Sequence, residues 1–413
     1  MQTFFVKKSR ITISDSFHNM PTTIHHYTFK TLAGLEPLLE KELNDAGCAN
    51  IEPVKRGFMF EADEAMMYRL NYTSRFGIRL LVEVLRFSFT DKEEFLKNIR
   101  SFEWDTYVGA DKTIAVDSVV TSSPVFNNSH FVELLTKDGV VDFFRNRYGL
   151  RPSVDKDNPD LLINIYVNND ECVVSVDSSG KSLHKRGYRV AAHVAPLNEV
   201  LAAGIIGLSG WKMDCDFIDP MCGSGTILIE AAMMANNIPA GYYRSDFGFM
   251  HWQTFKPAMF ERIKKEADAQ TKEFEFQIIG ADRADESLRA ASANIRKARL
   301  DRDIELDRQN FFEIAPENPS HIVFNPPYDA RMPIENSIEY YKKIGDTIKN
   351  NLQGSKVWMI VGNEELWKSI GLKATIKIPL LNGMIESRLL CFEAYQGSRR
   401  PVSGLNEKPD VEE

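Results

Sequence analysis

Three segments hold residue types suited to one transfer reaction. The first, Asp219-Pro220-Met221-Cys222-Gly223-Ser224-Gly225-Thr226, joins the apolar run DFID to the helix-like run ILIEAAMMA. Glycines at 223 and 225 let backbone amides approach a ligand where a Cβ would collide. The helix that follows offers free N–H groups and its positive dipole end to an anion. In a nicotinamide site that anion is a pyrophosphate and a third glycine is expected, but Leu228 stands in its place. A carboxylate serves equally well, and the methionine part of S-adenosylmethionine carries one. An ordinary tight turn, with glycines for geometry alone, is the plain alternative.

The second is Asp282, which ends the run QIIGAD and precedes the helical pattern ADESLRAASANIRKARL. An acid at the tip of the second strand of such a sheet accepts hydrogen bonds from ribose hydroxyls. A helix N-cap is its other role, one that Asp285 fills as readily. The spacing from loop to acid exceeds the roughly 20 residues of the dinucleotide fingerprint. Residues 242–269, YYRSDFGFMHWQTFKPAMFERIKKEADA, read as an insertion between them.

The third is Asn325-Pro326-Pro327-Tyr328, directly after HIVF. Two prolines fix the backbone and remove two donors, so this strand end offers acceptors with little competition. The Asn325 side-chain oxygen and the Pro326 carbonyl can accept both hydrogens of a base amino group. Such bonds free the nitrogen lone pair and aim it at a methyl sulfonium. Tyr328 supplies a face for base stacking. Positioning and electrostatics in line with the departing sulfur suffice, with no metal and no covalent nucleophile. The alternative is a Pro-Pro turn with Tyr328 as packing. Order matters here, because strand ends on one edge of a parallel sheet share one crevice.

Other residues carry weaker signals. Cys222 sits inside the glycine loop, where packing against a ligand suits it better than acting as a nucleophile. Asn310, in DRQNFF, can accept from an adenine amino group or simply close a turn. Lys185, Arg186 and Arg189 flank Tyr188 and suit contact with RNA phosphate, although such clusters are usually solvated faces.

The elements that must position these groups fall into two halves. Up to Asp177, short strands and helices alternate, with LLINIYV and ECVVSVD forming a hairpin around Asn168-Asn169-Asp170. From Pro196 to Gln396 strands and helices alternate as in a parallel sheet covered on both faces. The expected class is α/β. The limits are a flexible leader at 1–24, α+β units at 25–79 and 80–178, a basic linker at 179–195, the parallel-sheet domain at 196–397 and a disordered tail at 398–413. Met20 is a candidate alternative start. No apolar run reaches the roughly 20 residues of a membrane span. Five scattered cysteines form no CxxC pair, against a zinc site or disulfide framework and in keeping with a reducing cytoplasm. The net charge of −8 requires any nucleic acid to bind a local basic patch.

Together, DPMCGSGTILIEAA, the GAD at 280–282 and NPPY resemble the RNA methyltransferases that carry an N-terminal THUMP domain. SLHKRGYR followed by APLNEVLAA, and GLEPLLEKEL near the start, are similar to the bacterial 23S ribosomal RNA guanine-N2 methyltransferase branch. The resemblance runs from about His26 to Gln396. It implies a ferredoxin-like segment at 25–79, a THUMP domain at 80–178 holding structured RNA, and a Rossmann-like class I catalytic domain. The substrate would be 23S ribosomal RNA or a ribosomal precursor. Asp219, Pro220, Cys222, Gly223, Gly225, Thr226, Asp282 and Asn310 would hold S-adenosylmethionine. Asn325 through Tyr328 would hold the base. Asn310 departs from the Asp common at that position but keeps an acceptor. Some relatives carry a second, fused methyltransferase domain, which the chain is too short to add, so one methylation is expected. Rival readings are an adenine-N6 methyltransferase acting on RNA or DNA, a non-catalytic RNA-binding assembly factor, and a nicotinamide oxidoreductase.

Overall fold

The computed structural model describes residues 23–191, 196–327 and 336–393. Tyr328, the end of the expected linker, the tail and nearly all of the leader lie outside the described residues.

The front half runs β1 (His25–Thr31), α1 (Glu36–Ala46), β2 (Ala49–Val54), β3 (Gly57–Ala62), α2 (Glu64–Thr73), β4 (Gly77–Ser88), α3 (Lys92–Ser101), β5 (Thr113–Ser122), α4 (Ser129–Tyr148), β6 (Ser153–Val154), β7 (Leu161–Asn168) and β8 (Glu171–Asp177). One sheet orders these strands β2-β3-β1-β4-β8-β7-β5-β6. The boundary expected after residue 79 falls inside β4, which pairs with β1 along Gly77–Val82 and with β8 along Leu81–Ser88. Local patterning marks two units, but this long strand stitches them into one sheet. The β7–β8 hairpin turns at Asn169, in the left-handed region at φ +55°, as expected.

The back half contains α5 (Glu199–Ser209), β9 (Phe217–Asp219), α6 (Thr226–Ala235), α7 (Pro257–Asp268), β10 (Ile278–Asp282), α8 (Asp285–Lys297), β11 (Ile304–Arg308), β12 (His321–Phe324), α9 (Ser337–Asn351), β13 (Lys356–Val361), α10 (Glu364–Lys368), β14 (Ile376–Asn382) and β15 (Ile385–Glu393). Its sheet order is β11-β10-β9-β12-β13-β15-β14, with β11 through β13 parallel and the last two strands antiparallel. Strand order reverses at β9, and a doubly wound sheet opens its ligand crevice at such a point. Helix α6 is buried nearly all round, as its continuous apolar sequence requires. The loop feeding it is therefore anchored at a rigid end.

The expected insertion is structural. Its helix α7 packs on α2 of the front half, with Tyr72 Oη donating to Asp268 at 2.7 Å and Arg69 paired with Glu266 at 3.0 Å. Tyr68 meets Phe249 edge-on, with ring centroids 4.7 Å apart. Residues 179–191, expected as a linker, are likewise packed: Leu183, Arg186 and Tyr188 are buried. Among the described residues no helix is long and apolar enough to cross a membrane.

Candidate active site

The carboxyl ends of β9, β10, β11 and β12 lie side by side, and the three segments singled out in the sequence meet there. They line a cavity of about 380 Å³, within the range of small-molecule sites. Its walls include Asp219, Pro220, Cys222, Gly223 and Thr226 from the loop after β9, and Asp282 from β10. Asn310 contributes from beyond β11, and Asn325, Pro326 and Pro327 from beyond β12.

The loop is held from several directions. Asp282 accepts the Gly223 N–H at 3.0 Å on one oxygen and the Ala284 N–H at 2.9 Å on the other. Each oxygen keeps a lone pair for a further donor. Asp282 thus ties the loop and lines the cavity, while Ala284 is the residue at the α8 N-cap. Asp219 accepts the Met221 N–H at 3.1 Å, and its complete burial raises its pKa well above the ordinary carboxylate range, with nearby Asp282 adding to the rise. Asn294, fully buried on α8, donates to the carbonyls of Ala191 and Ser224 at 2.9 and 3.0 Å.

The two glycines divide their work. Gly223 has φ +53°, and no atom lies within 4 Å of where its Cβ would stand. That open side belongs to the cavity. Gly225 does not line the cavity; at φ +78° its missing Cβ would lie 3.2 Å from the Ala291 Cβ. Its expected ligand contact is corrected to helix packing, because α8 crosses directly behind it.

Opposite the loop, the Asn325 side-chain oxygen is buried without a hydrogen-bond partner among the described residues. A buried acceptor left unpaired costs free energy unless a ligand completes it. The Tyr341 hydroxyl donates to the Pro327 carbonyl at 3.3 Å, tying this segment to α9. Asn310 lines the cavity, but its oxygen also accepts the Phe312 N–H at 3.3 Å, capping a short turn.

Comparison with known proteins gives the site its context. Residues 186–390 match the family described as RMKL-like, methyltransferase domain; residues 89–177 match the THUMP domain, and 26–81 the RlmL ferredoxin-like domain. A Synechocystis sp. protein named as an RNA methyltransferase is 33% identical over 371 residues, covering 89% of this chain and 96% of its own length. The chain belongs to the THUMP-containing RNA methyltransferases. A ribosomal RNA large subunit methyltransferase K/L of Syntrophotalea carbinolica is 34% identical over 392 residues, 91% of this chain and 55% of the relative. The chain therefore spans about half the length of that K/L relative. A methyltransferase crystallised with S-adenosylhomocysteine matches with a TM-score of 0.80 at 26% identity, covering 92% of this chain and 100% of the other.

The THUMP-containing methyltransferases of this fold use S-adenosylmethionine, and the cavity fits it. Gly223, with open space on its Cβ side, Asp282 and Asn325 all line one volume. Cys222 is buried with its thiol pKa raised well above normal, chiefly by desolvation, which favours the neutral thiol over the nucleophilic thiolate.

The basic cluster needs correction. Arg186 is 2% exposed; its guanidinium bonds to the carbonyls of Leu183 at 3.0 Å and Arg75 at 2.6 Å and lies 3.6 Å from buried Glu230. It is closed to RNA phosphate. Arg189 turns inward to Glu199, Ser224 and Thr226, bracing the loop. Lys185 alone of the three is exposed. The reason is shared: this stretch is sandwiched between halves, so its cations satisfy protein acceptors.

Sequence reading missed Arg283, Phe311, Tyr340, Asn382 and Ile385, all of which line the cavity. Arg283 and Phe311 each follow a residue already singled out and were within reach. Tyr340 on α9 and the β14–β15 hairpin arrive only through the fold. Among the described residues no group of three or more His, Cys, Asp or Glu is placed to hold a metal.

Proposed function

We propose that this chain methylates the exocyclic N2 amino group of a guanine in large-subunit ribosomal RNA. The carrying observation is that Asn325, a residue of the cavity wall, has a buried side-chain oxygen without a partner among the described residues. An amino nitrogen bears two hydrogens; Asn325 Oδ1 accepts one and the Pro326 carbonyl the other, at about 2.7–3.2 Å. Those bonds hold the nitrogen in line and withdraw its lone pair from the ring. When bound, S-adenosylmethionine supplies an electrophilic methyl on a sulfonium sulfur, which leaves as a neutral thioether, while the proton shed by the nitrogen passes to solvent water.

Asp282 holds the ribose hydroxyls, and the loop at 219–226 holds the methionine part. Asn310 accepts from the adenine amino group, and Tyr328 stacks on the target base. The front half, 25–79 with 80–178, grips structured RNA. Lys185 remains the candidate phosphate contact beside the cavity-bearing domain 196–397. The net charge of −8 confines RNA contact to such local patches.

The test is incubation with labelled S-adenosylmethionine and unmodified ribosomal RNA, followed by mass spectrometry of the nucleosides. N2-methylguanosine is expected. N6-methyladenosine would reassign the reaction to adenine, and an absence of label in every nucleoside would overturn the reading.

A further inference from the structure

At the rim of the cavity, β14 and β15 form a hairpin whose last paired residues, Asn382 and Ile385, both line the cavity wall. Only Gly383 and Met384 lie between them. Gly383 has φ +65°, whereas Met384 stays outside the left-handed region. A glycine of positive φ at the first of two loop positions is the type II′ pattern, which suits the twist of paired strands and holds the tip stiff. At this tip Met384 is 97% exposed, far more than any other large apolar side chain among the described residues. Water is an unfavourable place for a thioether chain, and neither half of the protein packs against it.

The reaction proposed above, on which this inference rests, supplies a use for that side chain. The Asn325 oxygen is buried at the cavity wall, beyond reach of a base still stacked and paired. The target nucleotide must therefore rotate out of its helix, at the cost of unstacking and unpairing. Extrusion leaves a base-sized gap. Apolar side chains, Met among them, are used as wedges between bases in other nucleic-acid complexes. A flexible, polarisable methionine adapts to whichever bases line such a gap.

We propose that Met384 is such a wedge: it enters the RNA stack where the target nucleotide leaves, while the extruded base occupies the cavity. The two residues flanking the tip form part of the base's enclosure. One stiff hairpin thus sets the distance between gap and cavity. It acts on the substrate's conformation and not on the methyl transfer itself.

The experiment first maps the guanine that the wild-type protein methylates. The folded ribosomal RNA fragment around it is then made in two forms, with the target's partner either present or replaced by an abasic site. Met384→Ala is expected to lower kcat/KM roughly tenfold on the paired form and less than about twofold on the abasic form, where extrusion is already cheap. Met384→Leu should restore most of the loss, and calorimetry should give both variants the wild-type affinity for S-adenosylmethionine. Equal losses on the two RNAs, or no loss on either, would overturn the wedge while leaving the methyltransferase reading intact. A wild-type protein that makes no N2-methylguanosine would overturn both, and shows itself before any variant is measured.

Discussion

Arg189 donates from Nε to a carboxylate oxygen of Glu199 at 2.9 Å, while its other nitrogens reach Ser224 Oγ at 3.2 Å and Thr226 Oγ1 at 3.0 Å. One guanidinium therefore ties the first turn of α5 to both sides of the glycine loop. Glu199 is 95% buried and would keep an uncompensated carboxylate if that partner were lost. Arg189→Ala is expected to destabilise the fold by about 3 kcal/mol. Arg189→Lys should recover part of that stability without restoring cofactor affinity, since an ammonium cannot span the fork. Chemical denaturation and calorimetry separate the two effects.

Gly223 and Gly225 should fail differently. Gly225→Ala places a methyl against Ala291 in a left-handed backbone and is expected to cost about 1–2 kcal/mol of stability. Gly223→Ala meets no protein atom but intrudes on the cavity. Both variants carry the left-handed strain of about 1–2 kcal/mol, but only Gly223→Ala should also lose cofactor affinity, by about tenfold or more, read by calorimetry beside the thermal unfolding midpoint.

Removing the Asn325 acceptor should slow chemistry without loosening the cofactor. Asn325→Ala is expected to reduce single-turnover methyl transfer by about 10²–10³-fold, by analogy with loss of one preorganised polar contact. The affinity for S-adenosylmethionine should change by no more than about twofold. Unchanged turnover would refute the assigned role.

His321 predicts an acid-sensitive fold. The ring is buried against Phe217, and its Nε2 lies 2.7 Å from Ser209 Oγ, whose hydroxyl donates to the Ile206 carbonyl. Burial, with Lys356 adding, lowers its pKa from 6.5 to about 4. Between these values the unfolded chain binds the proton and the folded chain does not. The stability from this site is therefore full above pH 6.5 and lost as pH falls towards 4, by about 3 kcal/mol at most. His321→Gln should flatten the wild-type slope in that window, measured by denaturation at constant salt.

Much of this protein was legible along the chain because its chemistry sits at strand ends. Asp219 to Thr226, Asp282 and Asn325 to Pro327 each end or follow a short strand, and a parallel sheet gathers such ends on one edge whatever the lengths between them. The long gap before Asp282 was read as an insertion for the same reason. Local rules also placed the β7–β8 hairpin, where Asn169 tolerates a positive φ.

Tertiary structure decided the rest, because burial and partnership are properties of the assembled chain. Arg186 and Arg189 look like a phosphate-binding cluster in one dimension, yet the turn after α2 and the first residues of α5 and α6 close around them and turn their charges inward. Gly225 is part of a ligand motif by spacing and a packing glycine by position, since α8 arrives from 60-odd residues downstream. Cavity-lining Tyr340 and the Asn382–Ile385 tip come from elements with no chemical signature of their own. A sequence records which groups can accept, donate or pack; only the folded chain shows that the Asn325 side-chain oxygen is buried without a partner among the described residues.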